Sequence, residues 1–303
     1  MTGASLLLSR RALLAAVPAV AWPGTVQIPA ERETIREAGL VGTLYTPLRS
    51  RNLPAVVSLA GAEGGYWEEP ACALAAEGFP TLALATNNVP GRPARISHIP
   101  LDYIDSAITW LRERVGPPQG MVALRGWSRG GEAALTLASL SPNVGAVLAY
   151  TPRCYVGREQ DRQNSFNDPS AGPAWTWRGE PVVGVPLPPE MRPPMAEQHY
   201  EDWFGIPVER IKGPIMLISG DADTGLAGTT SNRSCSYAMH RLDLLHSPIR
   251  RVHLNYPDAG HDIAGPPPYA GKADGGGTIA GNTAAVADSW PRAMTFLRSL
   301  TRS

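Results

Sequence analysis

Gly126-Trp127-Ser128-Arg129-Gly130 is the stretch on which the reading of this chain turns. An apolar run, Met121-Val122-Ala123-Leu124, precedes it, and a helix-like run from Glu132 to Ala138 follows. A strand, a G-x-S-x-G turn and a helix in that order describe a nucleophile elbow, which lifts a serine hydroxyl out of the sheet. Glycine suits both ends of such a turn, because strand and helix pass too closely for a Cβ and the turn needs unusual dihedrals. A chain with 31 glycines produces the bare pattern by chance, so the flanking elements give it its weight.

An elbow works only with a base, an acid and an oxyanion hole. In this architecture the acid and the histidine follow the serine in the chain, each on a loop at the carboxyl end of a strand. The apolar run Ile215 to Ser219 leads into Gly220-Asp221-Ala222-Asp223, where two carboxylates compete. Asp223 is preferred as the acid, since the turn delivers it to the loop tip, and Asp221 is read as bracing that turn. The run Arg251 to Asn255 leads to His261 on a glycine-containing loop, the one histidine of six so placed. His253 falls inside that strand and reads as a core residue. Ser128, Asp223 and His261 are therefore the expected triad, with His261 taking the serine proton and Asp223 fixing the imidazole tautomer. The backbone N–H of Arg129 is one expected oxyanion donor. Ala62, in the glycine loop Gly61 to Gly65 after the strand ending at Leu59, is the other.

Working outward, apolar strands at 54–59, 81–85, 144–148, 215–219 and 251–255 alternate with helical patterns. Ile104, Ala107, Ile108 and Leu111 make one helix face, and Val286, Trp290, Met294 and Leu297 another. This alternation predicts an α/β fold with a mostly parallel sheet covered by helices on both faces. Gly39 to Thr46 alternates like an edge strand. Residues from about 150 to 212 break the rhythm with many prolines and with Trp175, Trp177, Tyr200, Trp203 and Phe204. A long aperiodic segment in such a position reads as a cap insertion over the elbow, with Trp175, Trp177 and His199 as candidate pocket residues. The remaining chain, 22–303, reads as a single domain.

Basic and acidic residues balance at 27 each, which gives no pull toward nucleic acid. There is no metal-ligand spacing such as H-E-x-x-H or CxxC, and Gly275-Gly276-Gly277 lacks the strand that a phosphate loop requires. No metal or other cofactor is expected. Ser9-Arg10-Arg11 followed by the short apolar run Ala12 to Ala21 reads as an export signal of the twin-arginine type over residues 1–21. The expected mature protein is then periplasmic or extracellular, with no stable membrane insertion. Cys72 reads as a small buried residue, and Cys154 and Cys235 are left open as either a disulfide or two loop thiols.

The chain resembles the BAAT / acyl-CoA thioester hydrolase C-terminal domain family, in the dienelactone hydrolase-like branch of the α/β-hydrolases. The pieces that carry the resemblance are Ala60-Gly-Ala-Glu-Gly-Gly65, Leu101-Asp-Tyr-Ile104, Gly126-Trp-Ser-Arg-Gly-Gly-Glu132, Ile206 to Pro214, Ala259-Gly-His261 and Asp288-Ser-Trp290. They run in family order across about residues 38 to 300. The resemblance implies an α/β-hydrolase fold, the triad Ser128, Asp223 and His261, and a small-molecule ester or thioester substrate. Three departures stand out. The family's N-terminal β-sandwich has no counterpart, serine replaces the cysteine of the amino-acid-transferring members, and Leu226 and Ala227 stand where the family tends to place Trp and Ser. Serine favours hydrolysis over transfer, and export is at odds with an intracellular coenzyme A thioester. The expectation is thus a serine hydrolase of esters or thioesters working through an acyl-enzyme. The alternatives are an acyl-CoA thioesterase or acyltransferase proper, and a binding protein on the same fold without catalysis.

Overall fold

The computed structural model describes residues 30–49, 52–159, 171–186, 204–226, 230–268 and 272–301. The segment read as an export signal and the candidate pocket residue His199 lie outside them.

Eight strands form one sheet: β1 (Ala30–Ile35), β2 (Gly42–Pro47), β3 (Ala55–Leu59), β4 (Thr81–Leu84), β5 (Val122–Trp127), β6 (Ala146–Tyr150), β7 (Ile215–Gly220) and β8 (Arg251–Tyr256). Their order is β1-β2-β4-β3-β5-β6-β7-β8. β1 and β2 pair antiparallel, as do β2 and β4. Every neighbour from β4 onward is parallel. β3, β4 and β6 are buried along their whole length, as expected of strands covered on both faces.

Helices α1 (Glu68–Ala76), α2 (Leu101–Val115), α3 (Arg129–Leu140), α4 (Ser231–Leu244) and α5 (Ile279–Arg298) supply that cover. Two apolar clusters follow. Ile104, Ile108, Leu135, Leu137, Cys235 and Leu242 from α2, α3 and α4 pack one face. Leu74 of α1 and Val286, Trp290, Met294 and Leu297 of α5 pack the other. The fold is the mostly parallel α/β arrangement that the strand and helix patterns predict.

Two differences have physical causes. The strand expected at an edge, β2, is interior, because β1 (Ala-Glu-Arg-Glu-Thr-Ile) lies outside it. Charged side chains hide β1 in the sequence, and they suit an edge, where they discourage pairing with another chain. The 150–212 segment also contains regular structure among its described residues. Trp175–Trp177 pairs parallel with Ile99–Pro100 and antiparallel with Glu180–Pro181, and Val185–Pro186 pairs with Phe204–Gly205. Among the described residues no helix is long and apolar enough to cross a membrane.

Candidate active site

The parallel half of the sheet points all its carboxyl ends the same way, and the loops leaving β3, β5, β6, β7 and β8 converge there. The elbow follows β5 directly. Ser128 adopts φ 52° and ψ −117°, a conformation costly for a residue with a Cβ, and it sits at the N-terminus of α3. Its backbone N–H donates to the Tyr150 carbonyl at 3.0 Å, which holds the turn against β6. A Cβ on Gly126 would collide with the Gly130 carbonyl, and one on Gly130 would collide with the Ala60 carbonyl. Both obstacles are backbone and cannot swing aside, so each glycine is required by close approach.

Asp223 and His261 meet. The imidazole Nδ1 lies 3.0 Å and 3.1 Å from the two Asp223 carboxylate oxygens. Asp223 is 2% exposed, and His261 and Ser128 are 7% exposed each. Asp221 does not reach the histidine; its carboxylate accepts from Asn232 and, at 2.9 Å, from Asn255. That is the bracing role read for it, and Asp223 is the carboxylate delivered inward.

Several contacts aim the histidine. Its carbonyl accepts from Trp127 Nε1 at 3.1 Å and Thr151 Oγ1 at 3.0 Å, and its N–H donates to the Gly275 carbonyl at 2.9 Å. The Gly275 carbonyl also accepts from Thr224 N at 3.0 Å, and Asp223 bridges to Gly276 and Ala259 to Gly277. The glycine run 275–277 thus clamps the acid loop to the histidine loop. In the sequence this run shows only that it lacks the strand of a phosphate loop, because the pairings that give it a role join residues far apart in the chain.

Ala62, Trp127, Ser128, Arg129, Arg153 and His261 are among the residues lining one cavity of about 260 Å³. Both residues expected to supply oxyanion donors therefore share it with Ser128 and His261. Arg129 opens α3, where the first N–H groups have no acceptor within the helix and remain available to an anion.

Beneath the elbow lies a buried polar cluster that the sequence did not reveal. Arg129 Nη1 pairs with Glu132 at 2.6 Å, both side chains being almost wholly buried. Glu132 Oε1 accepts from Trp175 Nε1 at 2.7 Å and from Gly157 N at 2.8 Å, while Arg129 Nη2 donates to the Arg158 carbonyl at 2.8 Å. Burial lowers the Arg129 guanidinium from its ordinary value, the Glu132 charge resists, and the neighbouring Arg153 charge adds to the lowering. Trp175 is consequently a core residue, 1% exposed, rather than a wall of the cavity. Trp177 packs partly buried against the same core, with the Arg178 guanidinium 5.4 Å from its ring centre, and it too is outside the cavity lining. The Trp175 indole N–H, buried beside the Glu132 carboxylate, is held there and ties the segment to the body instead of facing a ligand.

His253 is half-buried in β8 rather than in the core, its Nε2 lying 2.7 Å from Ser219 Oγ and its basicity lowered by burial. The thiols of Cys154 and Cys235 are unbridged and buried, and Cys72 is half-buried on α1. Among the described residues no group of three or more His, Cys, Asp or Glu is placed to hold a metal ion.

Comparison with known proteins fits this geometry. The family described as BAAT / Acyl-CoA thioester hydrolase C terminal matches residues 99–303. The chain belongs to that family. Among curated relatives, the peroxisomal succinyl-coenzyme A thioesterase of Mus musculus is 26% identical over 288 residues, covering 90% of this chain and 65% of the relative. Acyl-coenzyme A thioesterase 1 of Homo sapiens is 28% identical over 254 residues, covering 78% of this chain and 55% of the relative. The chain thus spans somewhat over half the length of these family members. Among solved structures, a sugar hydrolase from Lactococcus lactis superposes with a TM-score of 0.55 at 15% identity, covering 90% of this chain and 97% of that one. A dienelactone hydrolase-like promiscuous phosphotriesterase from metagenomic libraries superposes with a TM-score of 0.53 at 16% identity, covering 90% and 99%. Identities this low speak for the shared α/β-hydrolase fold alone.

Proposed function

We propose that this family member hydrolyses a carboxylic ester or thioester through an acyl-enzyme on Ser128. The observation that carries the proposal is the buried Asp223–His261 pair opening onto the same cavity as a serine held on a strained elbow. The names of the curated relatives, acyl-coenzyme A thioesterases, support the reaction class.

In this reading His261 Nε2 takes the Ser128 proton as Oγ attacks the acyl carbonyl, and Asp223 holds the imidazole by its Nδ1 and stabilises the imidazolium. The oxyanion is met by the N–H groups of Arg129 and Ala62, each such donor contributing about a hundredfold or more in rate. His261 then returns the proton to the leaving group, and a water deprotonated by the same ring releases the acid. A serine nucleophile favours water over an amine as acceptor. The segment 150–212 is read as a cap, a reading supported by Arg153 near its start standing in the cavity wall. Residues 1–21 are read as an export signal, tested by the N-terminus of the protein recovered after secretion.

A second reading, an acyl-CoA thioesterase proper, draws its support from the relatives' names. A panel of simple esters and acyl-CoA thioesters, with Ser128→Ala as the blank, separates the two. Turnover of simple esters above acyl-CoA favours the first and the reverse favours the second. Wild-type rates no higher than the blank on every substrate refute both.

A further inference from the structure

Arg125 is a cation with no part in the proposed chemistry. It is wholly buried in β5, three residues before Ser128, and is not among the residues lining the cavity. Its guanidinium donates to the Ala264 carbonyl and, weakly at 3.4 Å, to Ser58 Oγ, while its Nε has no acceptor. Among the described residues no carboxylate offsets its charge. Two aromatic rings cover it instead, the Trp67 ring centre 4.6 Å away and that of Tyr150 5.0 Å away. Side chains alternate along a strand, so Arg125 and Trp127 project from the same face of β5. Both grip the histidine loop, Trp127 Nε1 at the His261 carbonyl and Arg125 at the Ala264 carbonyl. Trp67 packs on Trp127 with ring centres 4.9 Å apart, and Trp127 packs on the His261 imidazole at 5.4 Å. A continuous stack therefore runs from the guanidinium through two indoles to the base.

We propose that Arg125 is a positioning residue for His261: acting through Trp67 and Trp127, it fixes the imidazole against Ser128 and so supports turnover rather than substrate binding. This rests on the hydrolytic reading of Ser128. A cation buried without a counter-charge costs stability, and a well-packed apolar side chain in place of buried charge is often neutral or stabilising. Core packing therefore does not account for Arg125, whereas its reach to the histidine loop does. Trp67 carries a second cost. It precedes α1 at φ 33° and ψ 65°, a left-handed conformation that a bulky side chain adopts only when its surroundings impose it. Strain of this kind gathers at functional sites, and Trp67 stands two residues beyond the Gly61–Gly65 loop that carries Ala62. The stack thus joins the loops leaving β3, β5 and β8, which carry an expected oxyanion donor, the nucleophile and the base. A small tilt of the ring matters, because a displacement of about 1 Å at the reacting groups costs on the order of a hundredfold in rate.

Arg125→Met, unbranched and apolar, and Arg125→Lys, which keeps a cation against Trp67, make the test. Rates on 4-nitrophenyl acetate give kcat and KM, proton NMR follows the low-field resonance of the His261 Nδ1–H held by Asp223, and urea unfolding reports stability. Arg125→Met should lower kcat by about tenfold to a hundredfold with KM within about threefold, and should move or broaden the resonance. Arg125→Lys should recover at least part of both. A purely structural residue would instead lower the urea midpoint and leave kcat and the resonance of the folded protein as they are, and that result overturns the inference. So does an Arg125→Lys variant no better than Arg125→Met. Should Arg125→Met fail to fold, Trp67→Leu cuts the stack at its middle: a lowered kcat with a moved resonance supports the inference, and wild-type values overturn it. If the wild type turns over no ester, the hydrolytic reading fails separately. The resonance alone then decides, moved by Arg125→Met in support or unmoved against.

Discussion

Replacing Glu132 by alanine should be among the most damaging single changes outside the reacting groups, and its cost can be worked from the contacts. Glu132 pairs with Arg129 Nη1 and accepts from Trp175 Nε1 and Gly157 N, all within 2.6–2.8 Å. Removing one member of a buried ion pair costs about 3–5 kcal/mol, because the other charge stays buried. Each orphaned neutral donor costs about 1–3 kcal/mol, less whatever water entering the vacated space recovers. Taking the ion-pair figure alone, the expected loss is about 3–5 kcal/mol, a large share of the roughly 5–15 kcal/mol that holds a typical domain. Urea unfolding followed by tryptophan fluorescence measures it. With a urea slope of about 1–3 kcal/mol/M, the midpoint should drop by about 1–5 M at unchanged slope. Glu132→Gln keeps an acceptor oxygen and should lose less. A Glu132→Ala loss below about 1 kcal/mol would refute the view that this cluster fastens the elbow helix to the 151–159 and 171–186 segments.

Other outcomes follow from particular contacts. Asp223→Asn should cut kcat by about four orders of magnitude through the wrong imidazole tautomer, while Asp221→Asn, remote from the histidine, should stay within a few-fold in steady-state assays. Cys154 and Cys235 are buried, and burial first, then their mutual contact, holds the Cys235 thiol well above its usual range. In the reduced native protein both should react far more slowly with an aromatic disulfide reagent than in denaturant, where thiolate absorbance should reach all three cysteines. Stability should rise with pH on the acid side in two windows. Burial keeps His253 below its ordinary 6.5, so the unfolded chain binds the proton first and stability falls as pH drops below about 6.5. Burial pushes Glu68 up, but hydrogen bonds from Arg32, Thr43 and Tyr45 outweigh it and hold the carboxyl below 4.5, and Arg241 does the same for Glu209. Their contribution is present above pH 4.5 and lost on further acidification. Melting temperatures across pH 3 to 8 check both windows, and His253→Asn should flatten the upper one.

What the sequence revealed and what it hid divide along a physical line. The elbow, the acid turn and the histidine loop were legible because each is a short-range signal, an apolar run ending in glycine at the carboxyl end of a parallel strand. The apolar run of β5 stops at Leu124. Arg125 nevertheless continues that strand, its guanidinium 4.6 Å from the Trp67 ring centre and 5.0 Å from that of Tyr150, with burial pushing it down to about 10. α4, Ser-Asn-Arg-Ser-Cys-Ser-Tyr, carries too few apolar residues to announce a helix, and its start rests on a cap in which Thr230 accepts from Arg233 N. The Glu132 cluster and the 275–277 clamp join residues far apart in the chain, and no local pattern encodes such meetings. The same blindness made Trp175 look like a pocket residue, because an aromatic in an aperiodic segment carries no sign of which way it faces.

The most direct measurement of the central claim is the intact mass of the folded protein after treatment with a fluorophosphonate, with the modified peptide sequenced. One adduct is expected, on Ser128, formed quickly in the wild type and slowly in His261→Ala, with loss of ester turnover in step with labelling. No adduct on Ser128, or ester turnover that survives Ser128→Ala, would contradict it.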